Sequence, residues 1–230
     1  MTALLNIVKI TVLSNWRKNM GKPETDLAPR IRAKTLELLL EKEPEEISTR
    51  DIAKACGVTA TSLYYYYKDK EALFTEVKLC CVEQMDKFIS EQVTKKTSKS
   101  IKSGKKLNPL DEARIGLEAF RDWAFTNPRI ALLVMGRLKA DIREDPEKMN
   151  KYYQSYFLAK VLLDKAVEAG HSDSKDTLQD VSLCIAALWG AIEAVLLNRT
   201  IPQYWTKRGG LDFTNKMLDL LLTSLAKENV

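Results

Sequence analysis

The chain is poor in the residues from which active sites are most often built. It has one histidine and four cysteines in 230 residues. His171 follows Gly170 in a polar turn and reads as an exposed loop residue, not as a metal ligand or general base. Cys56, Cys80, Cys81 and Cys184 show neither Cys-x-x-Cys nor Cys/His spacing. A zinc site and a disulfide framework are therefore not expected, and a reducing, cytoplasmic compartment fits their use. Glycine-rich phosphate loops, a nucleophile elbow and paired-carboxylate motifs are also missing. The expectation is a protein that is not an enzyme and needs no metal or cofactor. Glu193, in an otherwise apolar stretch, is the one odd carboxylate: a hydrogen-bonded core or interface acid, or a ligand contact.

Long hydrophobic runs are scarce too. Residues 1–20 carry Leu4, Leu5, Ile7, Val8, Ile10, Val12 and Leu13, but Lys9 interrupts them. The run is too short to span a bilayer, and it has no leading positive charge and no small-residue cleavage site, so no membrane partner is expected. Leu5, Val8, Val12 and Trp16 fit a short amphipathic helix, the β-branched content fits extended structure equally, and Met20 is a second possible start. The role of this extension stays open. Strand-like alternation is absent, while 45% hydrophobic residues suffice for a core. An all-α fold of nine helices is expected beyond the extension.

What the chain does have is a dense set of helix signals between residues 47 and 73. Ser48 and Asp51 form a Ser-x-x-Asp box that opens a short helix. Ile52, Ala53 and Cys56 give it an apolar face, and Gly57 follows where a chain leaving a helix adopts positive φ. Thr59 then caps a second helix whose exposed face begins Thr59, Ala60, Thr61, Ser62. This is a helix-turn-helix, a unit that reads duplex DNA. Four tyrosines at 64 to 67 span a helical turn, so they cannot all be core. Tyr67 continues the apolar stripe from Leu63, whereas Tyr64 and Tyr66 are expected on phosphates, with Tyr65 on the same DNA-facing surface. Asp69 caps the next helix, which brings Lys70 and free N–H groups toward the same backbone.

At Ile52-Ala53, Gly57-Val58, Leu63-Tyr64, Tyr66, Lys70-Glu71 and Leu73 the chain resembles the TetR family of one-component repressors. The resemblance covers about residues 27–77. It implies base contacts from Thr59 to Ser62 and backbone contacts from Thr49, Tyr64, Tyr66 and Lys70. Thr59 and Thr61 stand where the family usually has Ser and Gly, so the operator sequence does not follow from it. The resemblance further implies a repressor, a palindromic operator, a homodimer and a small-molecule effector of unidentified structure. A DNA-binding dimer without small-molecule input is the alternative.

Charge adds little to this assignment. The net charge is +5, yet residues 20–75 hold nine Lys and Arg against ten Asp and Glu. Lys95, Lys96, Lys99, Lys102, Lys105 and Lys106 alone exceed the surplus and read as a flexible loop over 94–108. The expected domains are 21–75, DNA-binding, and 76–230, helical, for ligand binding and dimerisation. A first helix is expected over 27–41 through Ile31, Thr35, Leu38 and Leu39, and a long helix over 70–93. Asn108-Pro109, Asn127-Pro128 and Asp145-Pro146 each place a capping side chain before a first-turn proline, opening helices at 109–126, 128–141 and 146–169. Helices at 176–199 and 212–227 follow, separated by a loop at Pro202, Gly209 and Gly210.

Ala187, Gly190, Ala191 and Ala194 recur at helical spacing in the first of these last two helices, and Phe213, Met217, Leu220 and Leu221 form an apolar stripe in the second. Packed against their symmetry mates they would form a four-helix dimer interface. An apolar ligand pocket is expected among Trp123, Met135, Tyr153, Phe157, Trp189 and Glu193, whose rings and few polar tips suit a small molecule and suit a plain core equally.

Overall fold

The computed structural model describes residues 27–104, 106–137, 142 and 145–227. The extension at 1–20, with Met20, lies outside the described residues. Among the described residues ten α-helices follow one another: α1 (Leu27–Leu39), α2 (Thr49–Cys56), α3 (Ala60–Tyr66), α4 (Lys70–Lys102), α5 (Pro109–Thr126), α6 (Pro128–Leu132), α7 (Pro146–Tyr152), α8 (Gln154–Glu168), α9 (Thr177–Leu196) and α10 (Lys207–Leu225). Among the described residues there is no strand, only an isolated bridge between Ser172 and Ala226.

These residues form two compact units. The first holds the chain through Gln84 together with Asn127–Lys151, and the second holds Met85–Thr126 and the chain from Tyr152 onward. In the first, Ile31, Thr35, Leu36 and Leu39 of α1 are buried and Leu38 is half-buried, and Ile52, Leu63, Tyr67, Leu73 and Val77 are buried in the same unit. In the second, α8 lays Leu163 and Ala166 against Val181 and Ile185 of α9, with Leu117 of α5 and Leu225 of α10 packed on the cluster. α9 is long and apolar enough to cross a membrane. Its Val181, Cys184, Ile185, Leu188, Ala191, Ile192 and Val195 are instead buried within this unit.

Several expected boundaries are corrected. Most of the lysine stretch is not a loop: α4 continues to Lys102, a turn and coil follow only at 103–104 and 106–108, and Lys105 lies outside the described residues. Lysine favours helix, no Gly or Pro intervenes before Gly104, Lys99 and Lys102 offset the negative helix end, and Lys96 pairs with Glu118 of α5 at 3.0 Å. Asn108 and Asp145 cap as expected, donated to by Asp111 N at 2.8 Å and Lys148 N at 3.1 Å. Asn127 makes no such side-chain cap, and its helix passes into a π-helical turn at Leu133–Arg137. Residues 138–141 of the expected helix lie outside the described residues. The helix expected at 146–169 is broken at Tyr153, whose ring stands edge-on to those of Tyr152 and Tyr156.

Gly209 and Gly210 are not loop residues but lie in the first turn of α10, capped by Thr206, whose Oγ1 accepts from Gly209 N at 3.0 Å. A Cβ on Gly209 would stand 2.0 Å from the Gln203 carbonyl oxygen, and one on Gly210 2.7 Å from Val195 Cγ1. Both positions require the close approach that only glycine permits.

Candidate DNA-binding site

The start of α2 is fixed by reciprocal bonds. Asp51 N donates to Ser48 Oγ at 3.2 Å, and Ser48 N donates to Asp51 Oδ2 at 2.9 Å. The bonds from Ser48 hold the Asp51 carboxyl below its ordinary pKa. The helix ends on Gly57 at φ 65, with Val58 N donating to the Ala53 carbonyl at 3.0 Å, a left-handed closure that turns the chain toward α3. α3 is capped in turn by Thr59, whose Oγ1 accepts from Ser62 N at 3.2 Å. The Thr59 and Ser62 hydroxyls also lie 2.8 Å apart, so Ser62 is held by the cap.

Two buried side chains then orient α3: Leu63 within it and Tyr67 just after it, 3% and 8% exposed. The Tyr67 hydroxyl donates to the Ala28 carbonyl at 3.3 Å and accepts from Arg32 Nη1 at 3.2 Å. Burial pushes the Tyr67 phenol's pKa up, against the pull of Arg32. With those anchors inward, Tyr64, Tyr65 and Tyr66 are 53%, 85% and 41% exposed. Thr59 and Thr61 are exposed, while Thr49, Ala60 and Ser62 are partly so. Asp69 caps α4 by accepting from Ala72 N at 2.7 Å. Lys70, beside it, is already engaged: Nζ donates to the Pro44 carbonyl at 3.2 Å and lies 5.4 Å from the Phe74 ring centre. Exposed Arg50 on α2 is a cation absent from the expected set, and in the sequence nothing but its charge marks it.

The residues expected around a ligand are dispersed. Trp123 is buried on α5, and Trp189, on the neighbouring α9, lies 6.4 Å from the Phe120 ring. Glu193 is half-buried one turn further on. Tyr153 and Phe157 are exposed, and Met135 belongs to the other unit. A cavity of about 300 Å³ in the first unit is lined by charged side chains, among them Arg32, Glu76, Glu83, Lys148 and Lys151, and by none of those six. On the expected dimer faces, Gly190 and Leu220 point outward, as does Leu183, which the small-residue spacing did not include. Ala191 is buried within its own unit, and the Phe213 ring packs on Tyr204 at 5.0 Å.

Residues 31–77 match the family model described as bacterial regulatory proteins, tetR family. The fold is similar to that of a tetR family transcription regulator from Shewanella sp. PV-4, with TM-score 0.68 and 15% identity over 88% of this chain and 100% of that one. It is similar also to the fatty acid degradation regulator FadR from Bacillus halodurans, with TM-score 0.61 and 17% identity over 85% and 98% of the two chains. FadR from Bacillus subtilis, solved in complex with stearoyl-CoA, gives TM-score 0.57 and 19% identity over 85% and 98%. Comparison with curated proteins gives no match. Residues 31–77 thus carry the helix-turn-helix unit of the tetR family of bacterial regulatory proteins, and the chain as a whole is similar in its all-helical fold to TetR-family transcription regulators.

Proposed function

We propose that the protein is a cytoplasmic homodimeric repressor that binds a two-fold symmetric operator through α3 and is released by a small molecule. The observation that carries the DNA-binding part is the geometry of α2 and α3: both helices are capped, the turn between them is set by Gly57, and Leu63 and Tyr67 leave Thr61 and Tyr64 to Tyr66 facing outward. Tyr64, Tyr66 and Lys70, with Thr49 at the start of α2, supply contacts to the phosphate backbone. Fluorescence anisotropy with duplex DNA tests the assignment. Tyr66→Phe and Lys70→Ala should weaken all sequences to a similar degree, with a shallower salt dependence for the lysine change.

The dimer reading draws support from the outward faces of α9 and α10, on which Gly190, Leu183 and Leu220 are exposed and Ala187, Ala194, Met217 and Leu221 half-exposed. The effector reading rests on Trp123, Trp189 and Glu193 along the packed α5 and α9, and draws support from the fold shared with the stearoyl-CoA complex. A ligand that releases operator must bind the DNA-incompetent state more tightly, so operator must weaken its binding by the same factor. Native mass spectrometry of the purified protein identifies a retained ligand, and calorimetry with and without operator then measures the coupling; equal affinities would refute induction.

A further inference from the structure

α3 is short enough that its outward ridge can be assigned residue by residue. At about 100° per residue, Tyr66, Tyr64 and Tyr65 stand about 60°, 100° and 160° around the axis from Leu63. Their exposures, 41%, 53% and 85%, rise in that order. Thr61 falls about 160° from Leu63 on the other side and is exposed. Thr61 and Tyr65, one turn apart, therefore straddle the direction opposite the buried anchor. Ser62 lies toward the flank, half-buried, with its hydroxyl held at the Thr59 cap.

We propose that Tyr65, together with Thr61, reads base edges in the major groove, and that Tyr64 and Tyr66 flank it on the sugar-phosphate walls. The inference rests on the DNA-binding reading and gives the third exposed tyrosine a separate role. A helix lying in the major groove presents its outermost ridge to the bases and its flanks to the two backbones. Tyr65 brings an aromatic face suited to the thymine C5-methyl and a hydroxyl that can donate or accept. Its ring stands edge-on to Tyr66 at 5.2 Å and 79°, which limits its directions.

The test is selection from a random duplex pool with the parent chain, Tyr65→Ala, Tyr65→Arg and Tyr64→Ala. Tyr65→Ala should flatten the preference at one position in each half-site by roughly tenfold, leaving non-specific affinity and its salt slope unchanged. Tyr65→Arg should move the same position toward guanine, a gain that a merely structural residue cannot give. Tyr64→Ala should weaken every sequence alike. If the parent selects a site and Tyr65→Ala keeps its preferences, or weakens all sequences equally, the base-reading role is overturned while DNA binding stands. If the parent selects nothing, the DNA-binding reading falls and this one with it.

Discussion

The Arg32 guanidinium donates to the hydroxyl of Tyr67, 35 residues away, at 3.2 Å. The bond ties α1 to the residue that ends the recognition helix. Tyr67→Phe keeps the ring and deletes both bonds of the hydroxyl. It should cost about 1–3 kcal/mol in urea unfolding, since a partly buried charged partner loses its acceptor. Loss of DNA affinity should be similar for all sequences, because the whole of α3 is loosened rather than one contact.

Gly209→Ala should be among the more damaging single-methyl additions in the chain. The new Cβ meets a backbone oxygen at 2.0 Å, which no rotamer change relieves. A loss on the order of 1–3 kcal/mol is expected from thermal or urea unfolding, with the first turn of α10 displaced. Wild-type stability in this variant would show that the 202–204 turn yields freely.

Lys78 lies on the buried side of α4, 6% exposed, and burial lowers its pKa to about 8. A lysine whose folded pKa is depressed holds fewer protons folded than unfolded between about pH 8 and 10.5, so stability rises with pH across that window. Lys78→Met should remove this rise. Relative to the variant, the parent should gain stability between about pH 8 and 10.5, by an amount on the order of 3 kcal/mol over the window. Melting curves at matched pH values measure it.

Leu220, 57% exposed on α10, tests the dimer. Leu220→Lys should raise the dimer dissociation constant by roughly 30-fold or more, with helical content unchanged. Light scattering across micromolar concentrations reads the effect. A parent chain that is already monomeric there would overturn the proposed interface.

The helix-turn-helix unit was legible in the sequence because its signals are local: Ser48 with Asp51, Gly57, Thr59 and Asp69 each act within about one helical turn of their own position. What failed was decided by longer-range packing. The lysine stretch reads as a loop by composition, yet Lys96 finds Glu118 on another helix and α4 continues as far as Lys102. Gly209 reads as a loop residue until the Gln203 carbonyl is seen against it. Ala191 shares the small-residue spacing of its neighbours, but only the fold shows that it faces inward. The chain showed that four adjacent tyrosines cannot share a face, while their separate roles depend on where Leu63 and Tyr67 are anchored.

Selection from a random duplex pool, followed by affinity measurement on the enriched sequence, tests the central claim most directly. A dimer with two recognition helices should enrich a two-fold symmetric site whose half-sites lie about one helical turn, or a multiple of it, apart. Its affinity should exceed that for unrelated duplex by roughly a thousandfold or more at physiological salt. No enrichment, with equal and strongly salt-dependent binding to every duplex, would contradict the account.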